Sequence, residues 1–230
     1  MPARPTLPPA LLAHLKAFAA AHGLERPAPG AIEHGTSGDD ALTVTPPARL
    51  VLGLAGDDTL TGAAGDDNLA GGRGGDSLTG AAGGDRLFGD LGNDTQAGGA
   101  GVDTLVGGPG SDLLVGGPGA DVFAVGGPHP DGAPGLDRIV DFTHGEDRIV
   151  FGRDDVATAA NFATGSAADF ASALALANGK IAGGAADFVA VKVGADVIVF
   201  ADSHHDDGTA DAAVVLVGRS LADIGFGDIH

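Results

Sequence analysis

Aspartate recurs at multiples of nine residues along the middle of this chain. The aspartates that share this spacing are Asp40, Asp58, Asp67, Asp76, Asp85, Asp94, Asp103, Asp112 and Asp121. Each follows glycines typical of turns, and its short side chain offers the carboxylate oxygens that hard cations prefer. If such residues stack at about 5 Å, their like charges repel by roughly 1 kcal/mol even in water. The spacing therefore indicates cation binding.

These aspartates belong to ten consecutive blocks of nine residues, from Gly35 to Ala124. Except in the second block, glycine is first and fourth, aspartate is sixth, and the eighth residue is apolar apart from Gln96. The second block, VTPPARLVL, breaks the pattern and carries Arg49 in the sixth place. Six residues rich in Gly and Asp predict a turn, and the other three predict a strand about 10 Å long. A strand so short is stable only when it stacks on neighbours.

Two such blocks, with a strand and a turn on each side, close one coil of a flattened parallel solenoid. Aspartates 18 residues apart then form two columns, with coils about 4.8 Å apart. The apolar residues in the eighth place are expected to point inward. These are Leu60, Leu69, Leu78, Leu87, Leu105, Leu114 and Phe123. Carboxylates from two coils, together with carbonyls of the glycine turns, describe a calcium site, because magnesium prefers a tighter octahedral geometry.

The blocks resemble the glycine- and aspartate-rich nonapeptides of RTX proteins, a calcium-binding solenoid family. This resemblance implies an all-β parallel β-roll, with one Ca²⁺ ion between each turn and the next turn on the same side, and export by a type I secretion system. Transferred to this sequence, it implies about seven ions. They are expected between the aspartate pairs 40/58, 58/76, 67/85, 76/94, 85/103, 94/112 and 103/121. No ion is expected between Arg49 and Asp67.

Residues 125–230 are expected to form a C-terminal capping and secretion domain after the β-roll of residues 35–124. The segment from Asp137 to Ile149 is similar to the D-x-I-x-D-F-x-x-G-x-D-x-I segment that closes the roll in serralysin-type proteases. Asp137 and Asp147 either bind a further ion or have ordinary turn and strand-edge roles. A helix is predicted from an N-cap at Ser166 to a stop at Gly179. Strands within 188–194, 196–202 and 212–218 and a final capping turn follow.

A polar cluster lies between the last two predicted strands. It comprises Asp202, His204, His205, Asp206 and Asp207. Imidazole and carboxylate groups suit zinc or nickel, so a transition-metal site is one interpretation of this cluster. An exposed hairpin tip and an additional calcium site are the other two. Asp39, Asp57, Asp66 and Asp90, in contrast, are expected to be surface charges.

Residues 1–34 are predicted to contain an amphipathic helix and a proline-rich linker. Leu11, Leu15 and Phe18 recur at helical spacing, and Gly23 ends the pattern. We expect this helix to cap the first coil of the roll; docking to another protein or a surface is the alternative. The first residues lack the features of a cleaved signal peptide.

Composition excludes several functional classes. The chain of 230 residues has 31 acidic and 12 basic residues, for a net charge of −19, so nucleic acid is not expected as a partner. No apolar run is long enough to insert into a membrane. The absence of cysteine excludes disulfides and thiol chemistry. No zinc-protease, nucleophile-elbow or phosphate-loop motif is present, so no enzymatic activity is expected.

The sequence therefore predicts a secreted, non-catalytic calcium-binding protein whose folding is coupled to calcium after type I export. It would act outside the cell or at the cell surface. One alternative is a calcium-dependent adhesin or polysaccharide-binding module, with Arg73 and Arg86 as outward-facing candidates. The other is the C-terminal module of a secreted enzyme.

Overall fold

The computed structural model describes residues 32–44, 50–125, 136–151, 162–184, 186–202, 210 and 212–229. The predicted N-terminal helix, Arg49 and residues 203–209 of the polar cluster lie outside these ranges. Within them the protein is built mainly of β-strands, with one α-helix and two short 3₁₀ helices.

Short parallel strands alternate between two stacked sheets. The first sheet contains β1 (Ile32–His34), β3 (Leu50–Ala55), β5 (Asn68–Arg73), β7 (Arg86–Leu91), β9 (Thr104–Val106), β11 (Val122–Val125) and β13 (Arg148–Phe151). The second contains β2 (Ala41–Thr43), β4 (Thr59–Thr61), β6 (Ser77–Ala82), β8 (Thr95–Ala100), β10 (Leu113–Val115) and β12 (Asp137–Ile139). Each strand of the repeat thus pairs with the strand two further along the chain, which is the connectivity of a parallel β-roll.

The pairing register within the repeat is 18 residues. Leu60 lies beside Leu78, and Leu69 lies beside Leu87. The seven apolar side chains in the eighth place from Leu60 to Phe123 are at most 1% exposed, so they form the centre of the roll between the two sheets. The predicted fold class, an all-β parallel β-roll, is confirmed.

The second sheet continues from the roll into the C-terminal part of the chain. Its remaining strands are β14 (Phe162–Ala167), β15 (Phe188–Val193), β16 (Asp196–Ala201) and β17 (Ala212–Leu216). Strand β17 pairs in parallel with β12, and β15 and β16 extend the sheet in antiparallel fashion. One hydrophobic core joins Phe123 and Ile139 of the roll to Phe188 and Val199. The C-terminal part is therefore packed directly onto the last coil.

The roll extends beyond Ala124, where the nonapeptide register ends. Strand β12 pairs with β10, and β13 pairs with β11, so these strands form a further coil. The two strands on either side of Asp141 thus lie in different sheets. The sequence pattern placed both strands in the C-terminal domain, residues 125–230, because the nine-residue spacing is lost here. The buried Ile139 and Ile149 nevertheless continue the inward-facing positions of the roll.

The C-terminal helix differs from its prediction at both ends. Helix α1 (Phe170–Ala182) begins after Asp169, whose side chain accepts the amide of Ser172 at 2.8 Å. Ser166 instead lies in β14, a strand that the sequence pattern did not predict. Gly179 is inside the helix, which continues because Ile181 is buried against the sheet.

Two 3₁₀ helices, Leu221–Asp223 and Phe226–Asp228, form the predicted final turn. No helix among the described residues is long and apolar enough to cross a bilayer.

Candidate metal sites

The aspartates in the sixth place form two ladders along the edges of the roll. In each ladder a carboxylate oxygen, Oδ1, accepts the backbone amide of the aspartate one coil earlier. Asp58 thus donates its amide to Asp76, and Asp67 donates to Asp85. Seven such hydrogen bonds, at 2.7–2.9 Å, join the same seven pairs that were expected to hold ions. The ladders therefore place each predicted site aspartate next to the one 18 residues further along the chain.

The second carboxylate oxygen, Oδ2, has no hydrogen-bond donor in seven of these aspartates. They are Asp58, Asp76, Asp85, Asp94, Asp103, Asp112 and Asp121. Each of these residues is at most 2% exposed. Buried polar atoms are almost always hydrogen-bonded, and a buried charged oxygen without a partner is costly. These oxygens are where the fold most needs a positive charge.

The first glycine of each block leaves space beside this oxygen. A side chain at Gly53 or Gly89 would collide with Oδ2 of the aspartate five residues later and with a carbonyl oxygen of the next coil. A carboxylate oxygen and a carbonyl oxygen thus lie close together in a space that only glycine leaves open. Carboxylates with backbone carbonyls are the ligands that Ca²⁺ takes in proteins, so the residues present fit this ion.

Burial is the main influence on the protonation of these carboxylates. It raises the pKa of Asp76, Asp85, Asp94 and Asp121 to about 6, because the charged form loses its hydration. The amide from the preceding coil opposes this shift, and neighbouring carboxylates add to it. Burial also raises the pKa of Asp112, where the nearby Asp137 carboxylate contributes. The charged columns are therefore unfavourable without cations or protons.

Asp40 and Asp67 differ from the other predicted site residues. Oδ2 of Asp40 accepts the amide and the hydroxyl of Thr36, at 2.6 and 2.9 Å. Oδ2 of Asp67 accepts the amide of Ala63 at 2.8 Å. Each is the first described aspartate of its column, and its second oxygen is already occupied by the chain itself.

The ladders continue into the irregular coil after the repeat. Asp112 donates its amide to Asp137 at 3.0 Å, and Asp121 donates to Asp147 at 2.9 Å. Oδ2 of Asp147 accepts the amide of Thr143 at 2.7 Å. Asp141 accepts the amides of Gly116 and Gly117, so it closes the last turn of the repeat. Asp137 and Asp147 thus have structural roles in the ladders.

A second, outer ladder was missed by the sequence reasoning. Asp39, Asp57 and Asp66 are exposed, as expected for surface charges. Each nevertheless accepts the amide in the fifth place of the next coil, at 2.8–2.9 Å, and Asn93 does the same for Ser111. The outer side chains point to the following coil, whereas the inner ones point to the preceding coil. The recurrence of Asp or Asn in the fifth place of several blocks could have predicted this outer ladder.

Among the described residues, no three His, Cys, Asp or Glu side chains converge as a metal cluster. An ion in the columns would therefore take most of its ligands from backbone carbonyls. Of the C-terminal polar cluster only Asp202 is described, and it is buried beside β16 with its amide donated to Asp187. The predictions for His204, His205, Asp206 and Asp207 lie outside the described residues.

The fold and its ladders define the class: a parallel β-roll with two buried columns of aspartates. A family model described as RTX calcium-binding nonapeptide repeat matches residues 50–78, 61–96 and 97–127. The matches lie within residues 50–127, and the predicted resemblance to RTX repeats is confirmed for this part of the chain. Repeats of this family bind calcium.

Two solved structures resemble the chain weakly. One is the AlgE6R3 subunit of the Azotobacter vinelandii mannuronan C5-epimerase, with 24% identity, a TM-score of 0.34, and coverage of 85% of this chain and 80% of the subunit. The other is the extracellular lipase LipA from Serratia marcescens, with 17% identity and a TM-score of 0.34. That match covers 86% of this chain but 38% of the lipase. No curated protein sequence matches the chain.

Proposed function

We propose that this protein is a secreted, non-catalytic calcium-binding protein whose β-roll folds when about seven Ca²⁺ ions enter its two aspartate columns. The observation that carries the proposal is the set of seven buried carboxylate oxygens without a donor. The proposed ligands are the nine sixth-place aspartates together with carbonyls of their turns.

The position of the bare oxygens supports the number of ions. The seven bare oxygens equal the seven expected ions in number, and Oδ2 of Asp58 or Asp85 lies near a carbonyl of the next coil, as an ion in pair 58/76 or 85/103 requires. In pairs 40/58 and 67/85 the corresponding oxygen already accepts the amide of Thr36 or Ala63. The remaining two ions would therefore lie beside Asp112 and Asp121, facing the coil of Asp137 and Asp147. The pair that Arg49 would form with Asp67 has no carboxylate on its first member. This supports the expectation that no ion binds there.

Calcium would act on folding because the ions bind a site that only the folded chain assembles. Without calcium, seven carboxylates are brought out of water beside one another, which opposes folding. In a calcium-poor cytosol the chain would remain unfolded and suitable for a type I secretion apparatus. Outside the cell, the free energy of ion binding would become free energy of folding.

The test is a calcium titration of metal-free protein, followed by far-UV circular dichroism and by calorimetry. We expect a cooperative gain of β-structure with about seven ions per chain, in the sub-millimolar to millimolar range of extracellular modules. Magnesium at the same concentrations is the control and should be much less effective. A β-rich, protease-resistant fold in the absence of calcium would overturn the coupling, and binding of only one or two ions would overturn the column sites.

Binding of an acidic polysaccharide, the alternative function, has less support than calcium-coupled folding, because the two candidate arginines lie apart on the described surface. Arg73 ends β5 and Arg86 begins β7, so these neighbouring strands carry them at opposite ends. They do not form one basic patch. A glycan array with and without calcium tests this alternative, and calcium-dependent capture of acidic sugars would favour it.

A further inference from the structure

The second residue of each turn adopts one of two conformations. In seven turns it has a positive φ, between 67° and 113°. These residues are Leu54, Gly72, Ala81, Asp90, Gly99, Gly108 and Gly117. In three other described turns the second residue, Thr36, Ala63 or Thr143, does not have a positive φ. Three of the seven are not glycine, so residue type alone does not decide the conformation.

The two conformations coincide with the two states of the aspartate four residues later. All seven turns with a positive φ contain an aspartate whose Oδ2 has no donor. In all three turns without it, the second residue donates its amide to that oxygen, at 2.6–2.8 Å. We call the first kind open turns and the second kind self-capped turns.

The backbone explains this correspondence. In an open turn the amide of the second residue is directed away from its own aspartate: Gly99 donates to the carbonyl of Gly116 in the next coil, and Gly117 donates to Asp141. In a self-capped turn the same amide is donated to Oδ2. Oδ2 of the aspartate thus receives either this amide or no donor from the chain. The left-handed backbone of an open turn is itself unfavourable for a residue other than glycine, such as Leu54, by roughly 1–2 kcal/mol.

We propose that the backbone conformation of the second residue of each turn decides whether the turn takes a calcium ion: an open turn binds one, and a self-capped turn replaces it with its own amide. The assignment rests on the proposed calcium sites. It places ions at the seven open turns and none at the turns of Asp40, Asp67 and Asp147. The strain of a left-handed Leu54, Ala81 or Asp90 is retained because it leaves the buried oxygen free for the ion.

The self-capped turns lie where the columns end. Asp40 is the first aspartate of its column in the repeat, and Asp67 follows the block with Arg49 in the sixth place. Asp147 lies in the irregular last coil, where Phe142 replaces the first glycine. Each of these three ends therefore has an internal hydrogen bond that satisfies the carboxylate without an ion.

Ala81 allows a direct test, because its side chain is exposed and its φ is 84°. A β-branched residue disfavours positive φ, so Ala81→Val should favour the self-capped turn without altering core packing. We expect it to weaken one calcium site about tenfold or more, measured by calorimetric titration of the full chain. Ala81→Gly should keep all the sites. Ala82→Val, at the next exposed position of the same turn, is the matched control and should also keep them.

The results separate this inference from the proposed function. If the wild-type protein binds no calcium, the proposed function fails. If it binds about seven ions and Ala81→Val binds like Ala81→Gly, only the inference is overturned. Should Ala81→Val fail to fold, NMR of the calcium-loaded wild type decides. A strong intraresidue amide-to-Hα NOE at Ala81 and a weak one at Ala63 support the two turn states; equal NOEs overturn them.

Discussion

Asp58 donates its backbone amide to Oδ1 of Asp76 at 2.7 Å, while Oδ2 of the same Asp76 carboxylate is buried without a donor. One oxygen thus links adjacent coils, and the other requires an external positive charge. Because the two functions belong to different atoms, substitutions that keep one and remove the other can separate them.

Asp76→Asn keeps an acceptor oxygen for the Asp58 amide and removes the carboxylate charge. We expect the variant to lose one calcium ion and up to about 2.7 kcal/mol of stability at a calcium concentration 100 times Kd. Denaturant unfolding with and without calcium measures this difference. Asp57→Asn is the matched control, since exposed Asp57 accepts the Gly75 amide in the outer ladder. Equal losses in both variants would contradict an ion at Asp76.

Acid should stabilise the calcium-free fold. The pKa of Asp76, Asp85, Asp94 and Asp121 rises from 3.8 to about 6 in the folded protein, chiefly through burial. The folded state therefore binds more protons than the unfolded state between these values. Its stabilisation is complete below the unfolded pKa and is lost as pH rises through about 6.

The measurement for this prediction is urea unfolding of metal-free protein at several pH values between about 4 and 7.5, an interval that spans the ordinary and raised pKa of these groups. Saturating calcium should reverse the trend, because protons then compete with the ion for the carboxylates. A calcium-free protein that is more stable at the upper end of this range would contradict the prediction.

Gln96 is a defect in the hydrophobic centre of the roll. It is fully buried between Leu78 and Leu114; its Nε2 donates to the Val106 carbonyl at 2.8 Å, but Oε1 has no partner. Gln96→Leu should raise the free energy of unfolding by about 1–2 kcal/mol, because a buried unsatisfied oxygen is removed. Unfolding of the calcium-loaded protein tests this. A loss of stability would mean that the Val106 contact outweighs the missing one.

Asp228 holds the final turn against the last coil of the roll. This buried residue accepts the amides of Gly145 and Gly225, at 3.1 and 2.7 Å, and contacts His144 at 2.6 Å. Asp228→Ala should cost about 2 kcal/mol, since two amides lose their acceptor. His144→Gln is the control and should cost less, because the amide contacts remain. Equal costs would assign the effect to the histidine.

The nine-residue register predicted much of the fold because each place in a block has one physical role. An apolar residue such as Leu60 can satisfy only an inward position, and a glycine at Gly53 leaves room that no other residue does. Spacing also predicted which aspartates are neighbours, since 18 residues complete a coil. The same reasoning was less successful after the repeat has ended, at β14 and at the start of α1.

The sequence by itself determined the β-roll, the inward side chains and the two aspartate columns, because these follow from a repeat whose period equals half a coil. Tertiary structure alone decided which aspartates leave Oδ2 without a donor. Asp67 and Asp85 occupy the same place in their blocks, yet Ala63 donates its amide to Asp67 whereas Ala81 turns away from Asp85. Both second residues are alanine, so the difference lies in the backbone conformation of the folded turn and not in residue type.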